Sequence, residues 1–199
     1  SFKLAQKIHR TFHELLLLGQ VMGERLFTSE SVSSGHPDKL CDQVSDAILD
    51  ACIRFDPFAR VAVETLVKGM ENKSLIVLGG EVTVNGEIPD YEKIARDTCA
   101  KVGYNSHSIG MDATSEDLCE VRVAITTQSP DISDGVNVGG AGDQGMMFGY
   151  ACTESESFPG LIGTYMPLPS ILSQQLTRRL TEVREKDILP WVRPDGKSQ

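Results

Sequence analysis

The sequence predicts an α+β fold, with helices laid against one face of a mixed sheet. Three observations carry this expectation. Residues 59–67 and 120–128 alternate apolar and polar side chains, the two-residue period of a half-buried strand. Stretches starting at Leu40 and Tyr91 repeat apolar residues at helical spacing instead. A second, very apolar strand follows residues 59–67 after a short turn, so a hairpin sits among the helices.

Taken in chain order, residues 2–18 read as a helix, with Leu4, Ile8, Phe12 and Leu16 at every fourth position. The first 13 residues carry Lys3, Lys7 and Arg10 and no acid, which a transit peptide shares. The four-residue repeat favours an amphipathic surface helix. A short strand is expected over Leu26–Ser29. The turn Ser33-Ser34-Gly35-His36-Pro37 then opens a helix, since proline suits the first helical position, where its missing N–H costs nothing. Leu40, Val44, Ile48, Ala51 and Phe55 form its stripe, and Asp56-Pro57 closes it.

Over residues 59–67, Val61, Val63, Thr65 and Val67 share one face, and Arg60, Ala62, Glu64 and Leu66 the other. Lys68 to Ser74 reads as a turn. Leu75 to Val84 is a second strand, broken at Gly79-Gly80. Tyr91, Ile94, Ala95, Thr98 and Val102 mark a second helix, and Glu120 to Gln128 a third strand. Residues 129–149 are loop-like and rich in glycine. A last helix is expected from about Leu168 to Glu185, with Leu172, Leu176, Leu180 and Val183 buried.

Composition narrows the function classes. The 199 residues are 40% hydrophobic and 24% charged, enough for a sizeable core. The net charge of -9 and the lack of a basic block exclude nucleic acid held by phosphate neutralisation. A small anionic ligand needs only a few local cations and backbone donors, and stays possible. The five cysteines contain no C-x-x-C pair, which fits reduced thiols in a cytoplasmic protein better than zinc or a disulfide framework. Leu15 to Leu18 is far too short an apolar run to span a membrane, so no membrane partner is expected.

Four constellations are candidates for chemistry. In Gly35-His36-Pro37-Asp38-Lys39, a glycine precedes a helix whose first turn offers free N–H groups and partial positive charge, where a polyphosphate binds. Asp38 suits Mg²⁺ on such a phosphate, although these five residues alone favour a plain helix cap. Glu64 and Glu81 lie in apolar strands, and a buried acid needs a cation, a metal or a polar ligand. An exposed strand face would remove that need. Six glycines within residues 135–149, with Asp131, Asp134 and Asp143, fit a mobile lid or a plain connection. In Arg193-Pro194-Asp195-Gly196-Lys197 the flanking cations suit a phosphate, although such turns are common.

Together the phrases resemble the methionine adenosyltransferase (S-adenosylmethionine synthetase) family. They are Leu26-Phe27-Thr28-Ser29-Glu30-Ser31-Val32, Gly35-His36-Pro37-Asp38-Lys39, Asp42-Gln43-Val44-Ser45-Asp46-Ala47, Gly79-Gly80-Glu81, Gln128-Ser129-Pro130-Asp131-Ile132, Gly140-Ala141-Gly142-Asp143-Gln144-Gly145, Met147-Phe148-Gly149-Tyr150, Leu189-Pro190-Trp191 and Arg193-Pro194-Asp195. They keep the family's order over about residues 26–199. No Walker or dinucleotide glycine motif competes with this reading.

The resemblance implies an enzyme forming S-adenosylmethionine from ATP and L-methionine, with release of phosphate and diphosphate. It implies catalytic roles for His36 and Lys197. ATP binding falls to His36, Asp143, Asp195, Gly196 and Lys197, and methionine binding to Glu81 and Gln128. Asp38, with Glu30 beside it, would hold Mg²⁺, and Glu64 would hold K⁺. It implies a first α+β domain over 26–128, a gating loop over 129–145 and the start of a second α+β domain over 146–199, while the N-terminal helical extension over 1–25 has no counterpart in the family pattern. It also implies a homodimer or higher oligomer with each site built between two subunits. Full-length members continue well beyond this length, so the chain reads as an N-terminal half. The alternative is a truncated, non-catalytic partner of a full-length subunit.

Several features depart from the family pattern. The turn after Lys68-Gly69-Met70 is long, Ser34 stands where an acid is usual, the loop from Gln128 to Asp143 is short, and Glu154 to Tyr165 is expanded.

Overall fold

The computed structural model describes residues 26–127 and 145–199. The expected helix over 2–18, most of the 129–145 loop, and Gln128, Asp131, Asp134 and Asp143 lie outside the described residues.

Helix α1 spans Pro37–Phe55. His36 caps its start, and proline takes a first-turn position where no N–H is needed. The inward stripe is Leu40, Val44, Ile48 and Cys52, all at most 1% exposed. Phe55, expected inside, is 51% exposed, because the stripe keeps its four-residue step to the end. Asp56 follows the helix and is itself buried. Its carboxylate accepts from Phe58 N, Asn85 N and Asn85 Nδ2, each at 2.9 Å. Those donors, the Asn85 amide foremost, hold it below the ordinary aspartate value.

Strands β2 (Arg60–Lys68) and β3 (Ser74–Thr83) form an antiparallel hairpin. Helix α2 (Tyr91–Val102) follows. Between it and the next long strand lie β4 (Asn105–Ser106), a 3-10 turn over His107–Ile109 and β5 (Met111–Asp112), a small unit the sequence did not announce. Strand β6 (Cys119–Thr126) pairs parallel to β3, and α2 lies in the long crossover that parallel pairing requires. The sheet order β2-β3-β6 is thus mixed, as expected.

Strand β3 is not broken at Gly79-Gly80. The β2–β3 register runs through it, with Gly79 opposite Glu64 and Gly80 opposite Val63. Gly80 has φ +132°, and a Cβ there would sit 2.0 Å from the Ala62 carbonyl oxygen. The glycine lets the neighbouring backbone approach without ending the strand.

The core lies between α1, α2 and one sheet face. Ile76 and Leu78 of β3 meet Leu40, Val44 and Ile48 of α1 and Ala95 and Cys99 of α2, all essentially inaccessible. Ser45 of α1 and Thr65 of β2 join hydroxyls at 2.8 Å across this layer. The opposite sheet face carries Ala62, Glu64 and Leu66, all exposed, and Glu81, half-buried.

A second layer joins the two ends of the described chain. The expected strand over Leu26–Ser29 is instead β1 at Ser31–Val32, set by its partner β7 (Lys197–Ser198). Ser31 faces Ser198 and Val32 faces Lys197, antiparallel. Helix α3 (Leu168–Glu185) covers this ribbon. Its buried side is Ile171, Ser173, Thr177 and Val183, whereas Leu172 and Leu176, expected inside, are 49% and 54% exposed. The reason is polar pairing with the ribbon. Ser31 and Thr177 hydroxyls meet at 3.0 Å, and Ser198 Oγ donates to the Ser173 carbonyl at 2.7 Å. Among the described residues no helix is long and apolar enough to cross a membrane.

Candidate active site

The turn before α1 is held to the segment after α3 by backbone bonds. Ser33 N donates to Gly196 O at 2.8 Å, and Gly35 N to Pro194 O at 3.0 Å. Ser33 Oγ adds contacts to Pro194 O and Gly196 O at 2.9 and 2.7 Å. Gly35 is pressed so close that a Cβ would lie 2.5 Å from Pro194 Cβ. This seam lays the segment carrying Glu30, His36 and Asp38 alongside the one carrying Asp195, Gly196 and Lys197, although the chain separates the two segments widely.

His36 Nδ1 accepts from the Asp38 amide at 3.3 Å, an arrangement that in the neutral ring puts the proton on Nε2 and leaves that nitrogen to donate. The Asp38 carboxylate lies 3.6 Å from the same Nδ1. Asp38 is 78% exposed and faces solvent, beside a helix N-terminus that favours negative charge.

Lys197 Nζ pairs with Glu30 Oε2 at 2.9 Å, both sides about half exposed. Asp195 is gripped by Arg193, Nε to Oδ1 at 3.0 Å and Nη2 to Oδ2 at 3.1 Å. That fork holds the Asp195 carboxyl below its ordinary range. Arg193 is therefore occupied by Asp195 rather than free for a phosphate, which the composition of the turn had allowed.

Glu30, Ser33, Ser34, Asp38 and Lys39, with Arg178 of α3, help line an open groove of about 820 Å³ between α1 and α3. The buried Ser34 hydroxyl there has no hydrogen-bond partner among the described residues. A smaller cavity of about 230 Å³ is lined by Pro37, Tyr104, Ile109, Arg193 and Asp195 among others.

Glu64 and Glu81 form a separate group. They are diagonal neighbours on the sheet face turned away from α1. Among the described residues neither has an ion-pair partner. The exposed face supplies water to Glu64, so its charge needs no buried cation in the single chain. The structure thus brings Glu30, His36, Asp38, Asp195 and Lys197 together, and Glu64 and Glu81 together, but does not join the two groups.

No three His, Cys, Asp or Glu side chains converge on a metal position among the described residues. This still fits a phosphate-bound Mg²⁺, which keeps several waters and takes only one or two protein carboxylates. Asp38 suits that role. Glu30 is a poorer ligand while it pairs with Lys197.

Ser33 and Tyr104 were not singled out as site residues from sequence, and Arg193 was read only as a cation for phosphate, not as the partner of Asp195. Their importance comes from contacts between distant segments. Only Tyr104 carried a local cue, since a tyrosine entering a core needs a partner for its hydroxyl.

Two family models match the chain. Residues 24–130 match the S-adenosylmethionine synthetase, N-terminal domain, and residues 138–199 match the S-adenosylmethionine synthetase, central domain.

Proposed function

The chain belongs to the S-adenosylmethionine synthetase family, and from that premise we propose that its seam is the triphosphate side of a methionine adenosyltransferase site. The observation carrying this reading is the backbone seam that lays the turn leading into His36 against the Pro194–Lys197 segment.

In the proposed reaction the methionine sulfur attacks C5′ of ATP. The S–C5′ bond forms as the C5′–O bond breaks, and the electron pair leaves with the triphosphate. Triphosphate is then split to phosphate and diphosphate. His36 Nε2 donates to the oxygen on which charge grows, and Lys197 exchanges Glu30 for the phosphates. Asp195 and Gly196 hold the nucleotide. Donors fixed before reaction stabilise the leaving group without reorganising. Asp38 would hold Mg²⁺, which would neutralise charge on the triphosphate, and Glu64 would hold K⁺. Glu81, with Gln128, receives the methionine ammonium. The stretch 129–145 serves as the gating loop between a first domain at 26–128 and a second beginning at 146, and Asp143 joins the nucleotide contacts.

The two residue groups lie apart in one chain, which favours a site shared between copies. His36, Asp195 and Lys197 of one copy would face Glu64 and Glu81 of another across the open sheet face. An isolated monomer is then expected to turn over little.

The test is the purified chain with ATP, L-methionine, Mg²⁺ and K⁺, measuring S-adenosylmethionine. His36→Ala and Glu81→Gln chains should each be inactive, yet recover about a quarter of the activity when mixed, because half of the pairs are mixed and one of their two sites is intact. Failure to recover, with each parent dimeric and the unsubstituted chain active, refutes the shared site. The second reading is a non-catalytic partner. It is favoured if the chain is silent alone but raises the activity of a full-length subunit, and if His36→Ala leaves that gain unchanged.

A further inference from the structure

We propose that the small unit between α2 and β6 braces this site, with Tyr104 and Arg193 as positioning residues that hold the His36 turn and the Asp195 segment in one register. The inference rests on the nucleotide reading above and adds residues to it. Tyr104 is 6% exposed, directly after the glycine that ends α2. Its hydroxyl donates to the carbonyl of Gly35, the residue before His36. Burial pushes that hydroxyl up to about 12, so it stays protonated and donating at neutral pH.

Arg193 makes the second contact. While Nε and Nη2 hold Asp195, Nη2 also donates to the Ile109 carbonyl at 2.8 Å. Both contacts therefore end on one short stretch, residues 104–109. The seam fixes the His36 turn against Pro194. The brace fixes both to the first domain, around the 230 Å³ cavity they share. Without the Tyr104 hydroxyl, the Gly35 carbonyl loses a buried donor and His36 loses a fixed origin. Without the Arg193 fork, Asp195 is free to rotate. Lysine keeps the charge but lacks the planar fork needed for both acceptors.

The experiment uses this chain and magnesium tripolyphosphate as probe, by titration calorimetry well below the melting temperature. Tyr104→Phe should weaken binding about three- to tenfold, the size of one buried hydrogen bond. Arg193→Lys, on a more exposed contact, should weaken it about two- to fivefold. Ile48→Val, a core change remote from the seam, lowers stability and should leave the affinity unchanged. Amide exchange in the free chain should quicken at Gly35 and His36 in Tyr104→Phe, and at Gly196 and Lys197 in Arg193→Lys. Unchanged affinity in both variants, with the unsubstituted chain binding, overturns the brace alone. So does an equal loss in Ile48→Val, which would make the effect one of general stability. An unsubstituted chain that ignores tripolyphosphate refutes the nucleotide reading, and the brace falls with it.

Discussion

Gly35→Ala offers the sharpest test of the seam. The added methyl would start 2.5 Å from Pro194 Cβ and 2.7 Å from Pro194 O. Ordinary carbon contacts need about 3.5–4.0 Å, so the two segments must part by about 1 Å. Pro194 is buried, and the opposing atoms include backbone, so rotation of a side chain gives no relief. Overpacking of this kind costs about 1–3 kcal/mol. Losing the Gly35 N to Pro194 O bond adds about 1 kcal/mol. The sum, about 2–4 kcal/mol, lowers the melting temperature by roughly 4–16 °C in a chain of this size. A displacement of about 1 Å between catalytic groups costs about 100-fold in rate. Denaturant titration measures the first effect, and S-adenosylmethionine formation by the assembled enzyme the second. A Gly35→Ala chain within about 0.5 kcal/mol of the parent, with unchanged turnover, would refute the claim that this contact sets the site.

Three further outcomes are expected. Ile48→Ala, at a fully buried position, should cost about 2–5 kcal/mol in chemical denaturation. Gly80→Ala should cost about 2–6 kcal/mol, because it combines an unfavourable φ with a clash against Ala62 O. Gly79→Ala meets nothing within 4 Å and should be far milder by the same assay. Asp56→Asn should be less stable than the parent at pH 7. Since the Asp56 pKa is lowered by folding, its contribution is complete above the ordinary value of 3.8 and fades as pH falls through the folded value. The gap between parent and variant should therefore narrow in acid melts below that value.

Local pattern made the first layer readable. The alternation over residues 59–67 sorted β2 into its two faces correctly, and proline at the first turn with Asp56 at the end bounded α1. The errors were tertiary. Leu172 and Leu176 looked like a buried stripe, but α3 packs on a narrow polar ribbon that selects Ser173 and Thr177. Gly79-Gly80 looked like a break, but only Gly80 is forced, and by a neighbouring strand. The site motifs stood out because helix caps, acids and cations have local chemical logic. Which of them meet did not, since the seam joins residues 161 positions apart. Nor did apolar neighbours reveal that Glu64 lies on a face open to water.

That separation has a consequence for how the molecule is made. The helices, the hairpin and the α2 crossover draw on neighbouring sequence, and the core of the first layer is complete once β6 exists. The seam must instead close a very long loop, an entropic cost that grows with loop length and slows folding of non-local pairs. On the ribosome, Pro194 is translated several seconds after β6 at ordinary elongation rates. A nascent chain thus holds a folded first layer whose seam is still open. A chain arrested in this interval would carry the folded first layer without the seam and, on the proposed reading, without the nucleotide site, so ligand binding would tell it from the longer chain where secondary structure would not.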